Sequence, residues 1–305
     1  MLITVVIRAR NVQSDLQRCL PVIRDQRLPY GVRVQIVVVD NESSDGSVEV
    51  AKLYGAIVVP IRVEEFTWGR AINRGIGAVP SDVTVLLSAD ATPANEEWLS
   101  RLIEPFKDAN IAAVYGRQLP RPDAPVDEVV RLRRAFDESP RDLNRGQVEA
   151  DLAGGRWVCS NACAAIRTCV WSEIAFDEQV PASEEVPWIR SVLGRGFSAR
   201  YEPTAQVYHS HHESVLRYAI RIWEFYENTC RQQGRPRGGS FRVVASMSRG
   251  RIRNCMSRDA GAMSATRGLL RLPLECAMIL WLAAIVRWDR ANLERLRRRS
   301  REANG

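Results

Sequence analysis

Four short runs of β-branched and aliphatic residues, Leu2–Ile7 (LITVVI), Val34–Val39 (VQIVVV), Ala56–Pro60 (AIVVP) and Val83–Leu87 (VTVLL), punctuate the first part of this chain. Runs this short and this apolar read as strands buried on both faces. Between them, Ser14–Asp25, Gly46–Tyr54 and Trp68–Val79 repeat apolar residues at helical spacing. Strands alternating with helices imply right-handed βαβ units and a parallel sheet covered on both sides. The expected fold class is therefore α/β, a Rossmann-type, mostly parallel sheet flanked by helices. A fifth strand is predicted at Ile111–Tyr115, after a helix over Asn95–Phe106. At 305 residues the chain has room for one large α/β domain with an appendage, or for two small domains.

The pattern weakens from Arg117 to Gly155, where Pro120, Pro122, Pro125 and Pro140 interrupt it and only Val126–Phe136 has helical spacing. Beyond it, Trp157–Ile166 reads as a strand, Glu184–Leu193 as a helix and Ser198–Tyr208 as short strands. From Ser214 onward the chain reads as helices. The division predicted is a catalytic domain over 1–213 and a basic helical extension over 214–305.

Charge separates the same two parts. Residues 1–213 carry 24 basic and 29 acidic side chains, whereas 214–305 carry 19 Arg, no Lys and 7 acidic ones. Such a tail suits an anionic partner, whether phospholipid or an acidic carrier, or is a solvated helix surface. No nucleic-acid recognition motif accompanies it, so specific nucleic-acid binding is not expected. Seven cysteines without a C-x-x-C pair argue against a disulfide framework or a Cys-based zinc site, and fit a cytoplasmic location. The first charge arrives at Arg8, too early for a secretory signal. Leu272–Trp288 is a marginal membrane span, interrupted by Pro273 and Glu275, and reads better as a buried or surface-lying helix at the inner face of a membrane.

Ligands of open α/β sheets sit beyond the carboxyl ends of the strands. Here the first strand runs into Arg8, Arg10 and Asn11, the second into Asp40, and the fourth into Ser88, Ala89 and Asp90. Neither G-x-G-x-x-G nor G-x-x-x-x-G-K-[ST] occurs, which removes dinucleotide binding and P-loop chemistry. A helix start at G-R-A-x-N brings Arg70 and Asn73. An acidic pair, Glu184-Glu185, precedes Pro187 and Trp188. All three histidines, His209, His211 and His212, fall in one patch.

The runs VVIRARN, VVVDNESSDGS, EEFTWGRAINRGI and LLSADATPANEEWL together resemble glycosyltransferase family 2, and within it bacterial rhamnosyltransferase-like enzymes. YGRQLPRPDA, FDEQVPASEEVPW and AQVYHSHH extend the match to about residue 213. The resemblance implies a GT-A fold, an inverting transfer of a sugar from a nucleotide-diphosphate donor, and a divalent metal, Mn2+ or Mg2+.

It also implies roles. Asp40 accepts from a base N–H, or serves as a turn cap. Arg8, Arg10 and Asn11 hold ribose or phosphate. Arg70 and Asn73 face the diphosphate, or lie on a solvated helix face. Ser88, Ala89 and Asp90 occupy the place of the family's D-x-D, with Ser88 replacing its first Asp. Asp90 and His209 would ligate the metal, with His211 as second choice. Glu185, or failing it Glu184, is the base that takes the acceptor proton. Two acids before a Pro-started helix are also what helix N-terminal geometry favours. Trp157, Ser160, Asn161, Trp188 and His211 would line the sugar or acceptor pocket, or in the case of Trp157 fill core.

The UDP, dTDP or GDP identity of the donor stays open. So does an acceptor that is a glycan, lipid-linked, a small natural product or carrier-bound, and so does a homodimer. A nucleotide-sugar-binding protein of the same fold without turnover is the alternative reading, motivated by Ser88 and by Glu185 in place of an Asp. A sugar-nucleotidyltransferase would need a basic Gly-rich loop after the first strand, and RARNVQ lacks one.

Overall fold

The computed structural model describes residues 1–124, 126–153, 159–180 and 182–210, with residues 273 and 277. The predicted strand at Leu2–Ile7 is β1 (Leu2–Ala9), and those at Val34–Val39, Ala56–Pro60 and Val83–Leu87 are β2 (Arg33–Asp40), β3 (Ile57–Pro60) and β4 (Val83–Ser88). The intervening helices are α1 (Gln13–Arg24), α2 (Ser47–Leu53) and α3 (Trp68–Gly77). A two-residue β5 (Thr92–Pro93) precedes α4 (Trp98–Ile103) and β6 (Ile111–Leu119). Then follow α5 (Val126–Ala135), β7 (Arg141–Leu143), α6 (Arg145–Ala153), β8 (Cys163–Arg167), α7 (Thr168–Glu173), α8 (Glu185–Gly194) and β9 (Ser198–Tyr208).

Among the described residues the strands form one sheet of order β3-β2-β1-β4-β8-β6-β9-β5, with β7 paired to β9. The first half, β3 to β4, is parallel throughout. The far half is mixed. β8 runs antiparallel to both β4 and β6, β6 pairs parallel with β9, and β5 and β7 run antiparallel to β9. The mostly parallel sheet expected from the strand–helix alternation thus holds for the first half. It gives way in the far half, where β8 enters antiparallel between β4 and β6.

Alternate β1 residues enter two cores. Ile3, Val5, Ile7 and Ala9 pack with α1 and α4 on one face, and Val6 packs with Ile72 and Ile76 of α3 on the other. Thr67 caps α3, its side chain accepting from the Arg70 N–H at 3.1 Å. Gly75 lets α3 lie close on the sheet, because a Cβ there would stand 2.4 Å from Val6 Cγ1 and 2.9 Å from Val39 Cγ2.

The chain divides into two compact units. One is Met1–Arg121 with Leu132–Ser210, and the other is Pro122–Arg131 with His211–Gly305. The first holds the sheet. Most of the second, including Leu272–Trp288 apart from residues 273 and 277, the Arg-rich segment and His211, lies outside the described residues, as does Trp157. Among the described residues, no helix is long and apolar enough to cross a membrane.

Candidate active site

The carboxyl ends of β1, β2 and β4 lie side by side because Ala9 pairs with Asp40 and Arg8 with both Val39 and Ser88. Among the described residues, three non-glycine residues hold positive φ, and each borders this edge or the acidic pair: Asn11 (51°), Glu42 (51°) and Ser183 (58°). Backbone strain of this kind persists where surrounding contacts enforce it. The Asn11 N–H donates to Ser43 Oγ at 3.0 Å, and its Oδ1 accepts from the Ser44 N–H at 2.8 Å. The loops after β1 and β2 are thereby tied together. Arg10, half-buried, leads into them.

Asp40 makes the turn contact expected of it. Its Oδ2 accepts from the Ser43 N–H at 3.3 Å, a turn-closing contact. Its Oδ1 is buried with no hydrogen-bond partner. A buried acceptor left unmade costs about 1–3 kcal/mol. Asp45, just before the N-cap Gly46 of α2, accepts from the Ser47 and Gln13 N–H groups at 2.9 and 3.0 Å and so joins the starts of α2 and α1.

Asp90 and His209 come together from the exits of β4 and β9. Asp90 Oδ1 stands 3.4 Å from His209 Nε2. His209 is buried, and its Nδ1 lies 2.7 Å from Gln118 Oε1, within hydrogen-bond distance. Asp90 is half-buried, and its backbone carbonyl accepts from Arg121 Nη2. Adjacent ligands of an octahedral ion with bonds of about 2.1 Å lie about 3 Å apart, so the pair fits two positions around one divalent cation. An imidazole and a carboxylate are ligands Mn2+ accepts, and a diphosphate and water would complete the shell. No group of three or more such side chains occurs among the described residues. Ser88 and Ala89 shape the turn, the Ser88 N–H donating to Ala162 O at 3.4 Å and Ser88 O accepting from the Ala91 N–H at 2.9 Å.

The acidic pair heads α8 and its members differ. Glu184, 4% exposed, accepts at Oε1 from Arg8 Nη1 at 3.0 Å and from Asn161 Nδ2 at 3.1 Å. The Arg8 guanidinium also lies over the Trp68 ring, 4.7 Å from its centroid. Glu184 is thus bound into an ion pair across 176 residues of sequence. Replacing it by Gln leaves Arg8, 13% exposed, without its counter-charge. We expect Glu184→Gln to lower unfolding free energy by about 3 kcal/mol, read from urea denaturation; an unchanged midpoint would show that the pair contributes nothing net. Glu185, 8% exposed, opens α8. Its charge reaches Tyr115 and Cys159: the thiol is pushed up by burial first and Glu185 next, and the hydroxyl by burial first, then Cys159, then Glu185.

Two predicted ligand-facing residues have other work. Asn73 spends its amide on the protein: Nδ2 donates to Phe176 O and Glu178 Oε1, and Oδ1 accepts from Trp171 Nε1 and the Phe176 N–H. That fills its two donor and two acceptor positions. It ties α3 to the 171–178 segment rather than facing a diphosphate. Trp188 is 3% exposed, stacks on Phe176 at 5.0 Å and donates to Ile174 O at 2.7 Å, so it is core and not pocket wall. Arg70 donates through Nε to Glu178 Oε2 at 2.7 Å and through Nη1 to Glu65 O. Gly69 permits this, since a Cβ there would meet Asp177 O at 2.5 Å. Ser160 Oγ accepts from the Ala162 N–H at 3.3 Å, beside Asn161. Cys169 is exposed, whereas Cys159 and Cys163 are buried.

Gln118, Arg121 and Trp68 carry site contacts that no motif assigned to them. The first two lie within YGRQLPR, which contributed to the resemblance only as a string.

Comparison with known proteins agrees with this architecture. The family profile described as Glycosyl transferase family 2 matches residues 4–168. The O-antigen chain rhamnosyltransferase WbaN of Salmonella anatum is 30% identical over 180 residues, which span 58% of this chain and 56% of that protein. RfbN of Salmonella typhimurium strain LT2, also an O-antigen chain rhamnosyltransferase, is 29% identical over 215 residues, covering 69% of this chain and 67% of its own. The chain therefore spans little more than half of the first relative's length. Among solved structures, the mannosyltransferase PcManGT of Pyrobaculum calidifontis, in complex with GDP-Man and Mn2+, superposes with a TM-score of 0.56 at 13% identity, over 99% of this chain and 85% of that one. Glucosyl-3-phosphoglycerate synthase of Mycobacterium tuberculosis, in complex with Mn2+, UDP-glucose and glycerol 3-phosphate, gives 0.53 at 19% identity, over 78% and 82%. These likenesses establish the GT-A fold.

Proposed function

The chain belongs to glycosyltransferase family 2, and from that premise we propose that it transfers a sugar from a nucleotide-diphosphate donor to an acceptor hydroxyl, with inversion at the anomeric carbon. The observation that carries this reading is the meeting of Asp90 and His209 at 3.4 Å, at the edge where β4 and β9 end. Asp40 Oδ1, buried and without a partner, would accept from the donor's base. Arg10 and the strained Asn11 loop would flank the ribose. Glu185 would take the acceptor proton as the acceptor oxygen attacks. Glu184 would hold Arg8 and Asn161 in place beside it.

Asp90 and His209 would hold Mn2+ or Mg2+, which when bound supplies positive charge against the charge that grows on the departing diphosphate. The two Salmonella relatives are O-antigen chain rhamnosyltransferases. This supports a deoxyhexose such as rhamnose as the transferred sugar and a glycan as acceptor. Catalysis is assigned to residues 1–213. The basic 214–305 segment is assigned to acceptor, dimer or membrane-surface contacts, consistent with a cytoplasmic protein working beside a membrane.

A thermal-shift panel of UDP, dTDP and GDP, each with and without Mn2+, tests the reading. A ligand that binds only the folded state stabilises it by about 2.7 kcal/mol at a hundredfold excess over its dissociation constant. Stabilisation by one nucleotide, enhanced by Mn2+, is the expected result and names the donor class. Stabilisation without transfer to any offered glycan would favour the binding protein without turnover. No shift with any nucleotide would overturn the donor assignment.

A further inference from the structure

We propose that Gln118 is a positioning residue of the cation site: it fixes which imidazole nitrogen of His209 faces Asp90. The proposal rests on the reading of Asp90 and His209 as ligands and goes one layer outward from it. Gln118 is 4% exposed, and its Oε1 accepts from His209 Nδ1 at 2.7 Å. A neutral imidazole that donates from Nδ1 carries its lone pair on Nε2, and Nε2 is the nitrogen 3.4 Å from Asp90 Oδ1. A ligating nitrogen must present that lone pair, so the partner of the other nitrogen decides whether the ring can bind at all.

The fold takes a specific step to bring these side chains together. β6 and β9 pair in parallel, but the register jumps between Gly116↔Glu202 and Arg117↔Gln206. One step along β6 is matched by four along β9, an odd surplus that reverses which β9 side chains share a face with Gln118. Beyond the jump Gln118 pairs with Val207, two residues before His209, so the amide and the imidazole lie on one face. In the unshifted register Gln118 would share its face with even-numbered residues of β9, and His209 would point away. The same segment also reaches the other ligand. Leu119 O accepts from the His209 N–H at 2.9 Å, the Arg121 N–H donates to Ser210 Oγ at 3.4 Å, and Arg121 Nη2 donates to the Asp90 carbonyl. Both halves of the cation site therefore hang from residues 118–121.

The test uses the full chain and reads Mn2+ binding by electron paramagnetic resonance of the free ion, together with the His209 tautomer by long-range 15N NMR in metal-free protein. Wild type should show Nδ1–H, and Gln118→Glu, which keeps an oxygen acceptor, should retain it with affinity within about threefold. Gln118→Leu should mix the tautomers and weaken Mn2+ binding by about 10–100-fold. Asp90→Ala and His209→Ala serve as references. If neither changes Mn2+ affinity, the ligand assignment fails and the proposal falls with it. If both abolish binding while Gln118→Leu binds as wild type, the positioning role alone is overturned. A wild-type protein with the proton on Nε2 overturns it without any variant, as does equal loss in the Leu and Glu variants, which would mark a packing effect.

Discussion

Replacing Glu185 by Gln should lower kcat for sugar transfer by about 10²–10⁴-fold, with the fold and donor binding unchanged. The substitution keeps shape and hydrogen-bonding capacity and removes only the ability to take a proton. The choice of Glu185 over its neighbour follows the position of the base that the resemblance to the family implies. Glu184 is committed through Oε1 to Arg8 and Asn161. Glu185 is the next residue, and the turn that delivers both is set by Ser183 at φ 58°. The measurement is steady-state transfer with donor KM determined separately, alongside nucleotide-induced thermal stabilisation. Loss of kcat with unchanged stabilisation is the signature of a missing base. Activity within a few-fold of wild type would remove Glu185 from the chemistry and move the base to Glu184, whose Gln variant would then lose transfer beyond its stability cost.

Much of the fold could be read from residue pattern because the first half obeys one rule repeatedly. β1, β2 and β4 are buried on both faces, so each needs an unbroken apolar run, and such runs stand out. The far half has no comparable signal. β5 and β7 are two and three residues long, too short for any period to register. β8 overlaps the strand expected at Trp157–Ile166, but nothing in its Ala and Cys positions foretells its antiparallel pairing. β9 is one strand of 11 residues where the sequence over Ser198–Tyr208 reads as short ones, since the register jump absorbs the irregularity.

The site divides in the same way. Asp40, Asp90, His209 and the Glu184-Glu185 pair are named by the resemblance to the family, and each follows a strand or heads a helix, where position along the chain predicts position in space. Partnerships across long separations are not. Nothing local marks Asn73 as a strut with four hydrogen bonds, Trp188 as the stacking partner of Phe176, or Gln118 as the partner of a residue 91 positions away. Each depends on pairing geometry that exists only once the sheet has closed.

Asp90→Ala should reduce transfer by about 10³-fold or more and abolish the Mn2+ enhancement of nucleotide binding, while leaving a protein at least as stable as wild type. The first two effects follow from removing the carboxylate that faces His209. The third follows from its surroundings. The contact that ties the Asp90 turn to Arg121 is made by the backbone carbonyl, which Ala retains. The Asp90 charge also acts on Asp15, whose carboxyl is pushed up by burial first and by Asp90 second, against a lowering by Arg18. A carboxyl raised in the folded state adds stability that is fully present below its unfolded value, about 3.9, and is lost as pH rises through the folded value. At neutral pH that contribution is gone and the group opposes folding, so removing Asp90 should ease it. Urea denaturation of the variant at pH 7 should therefore give an equal or greater unfolding free energy, with any gain shrinking as pH falls towards the carboxylate range. A variant that loses activity by losing stability would contradict the argument, because the lost transfer would then say nothing about a ligand. A stable variant that still transfers sugar with wild-type Mn2+ dependence would take Asp90 out of the cation site, leaving His209 and Gln118 as a buried hydrogen-bonded pair with a structural role.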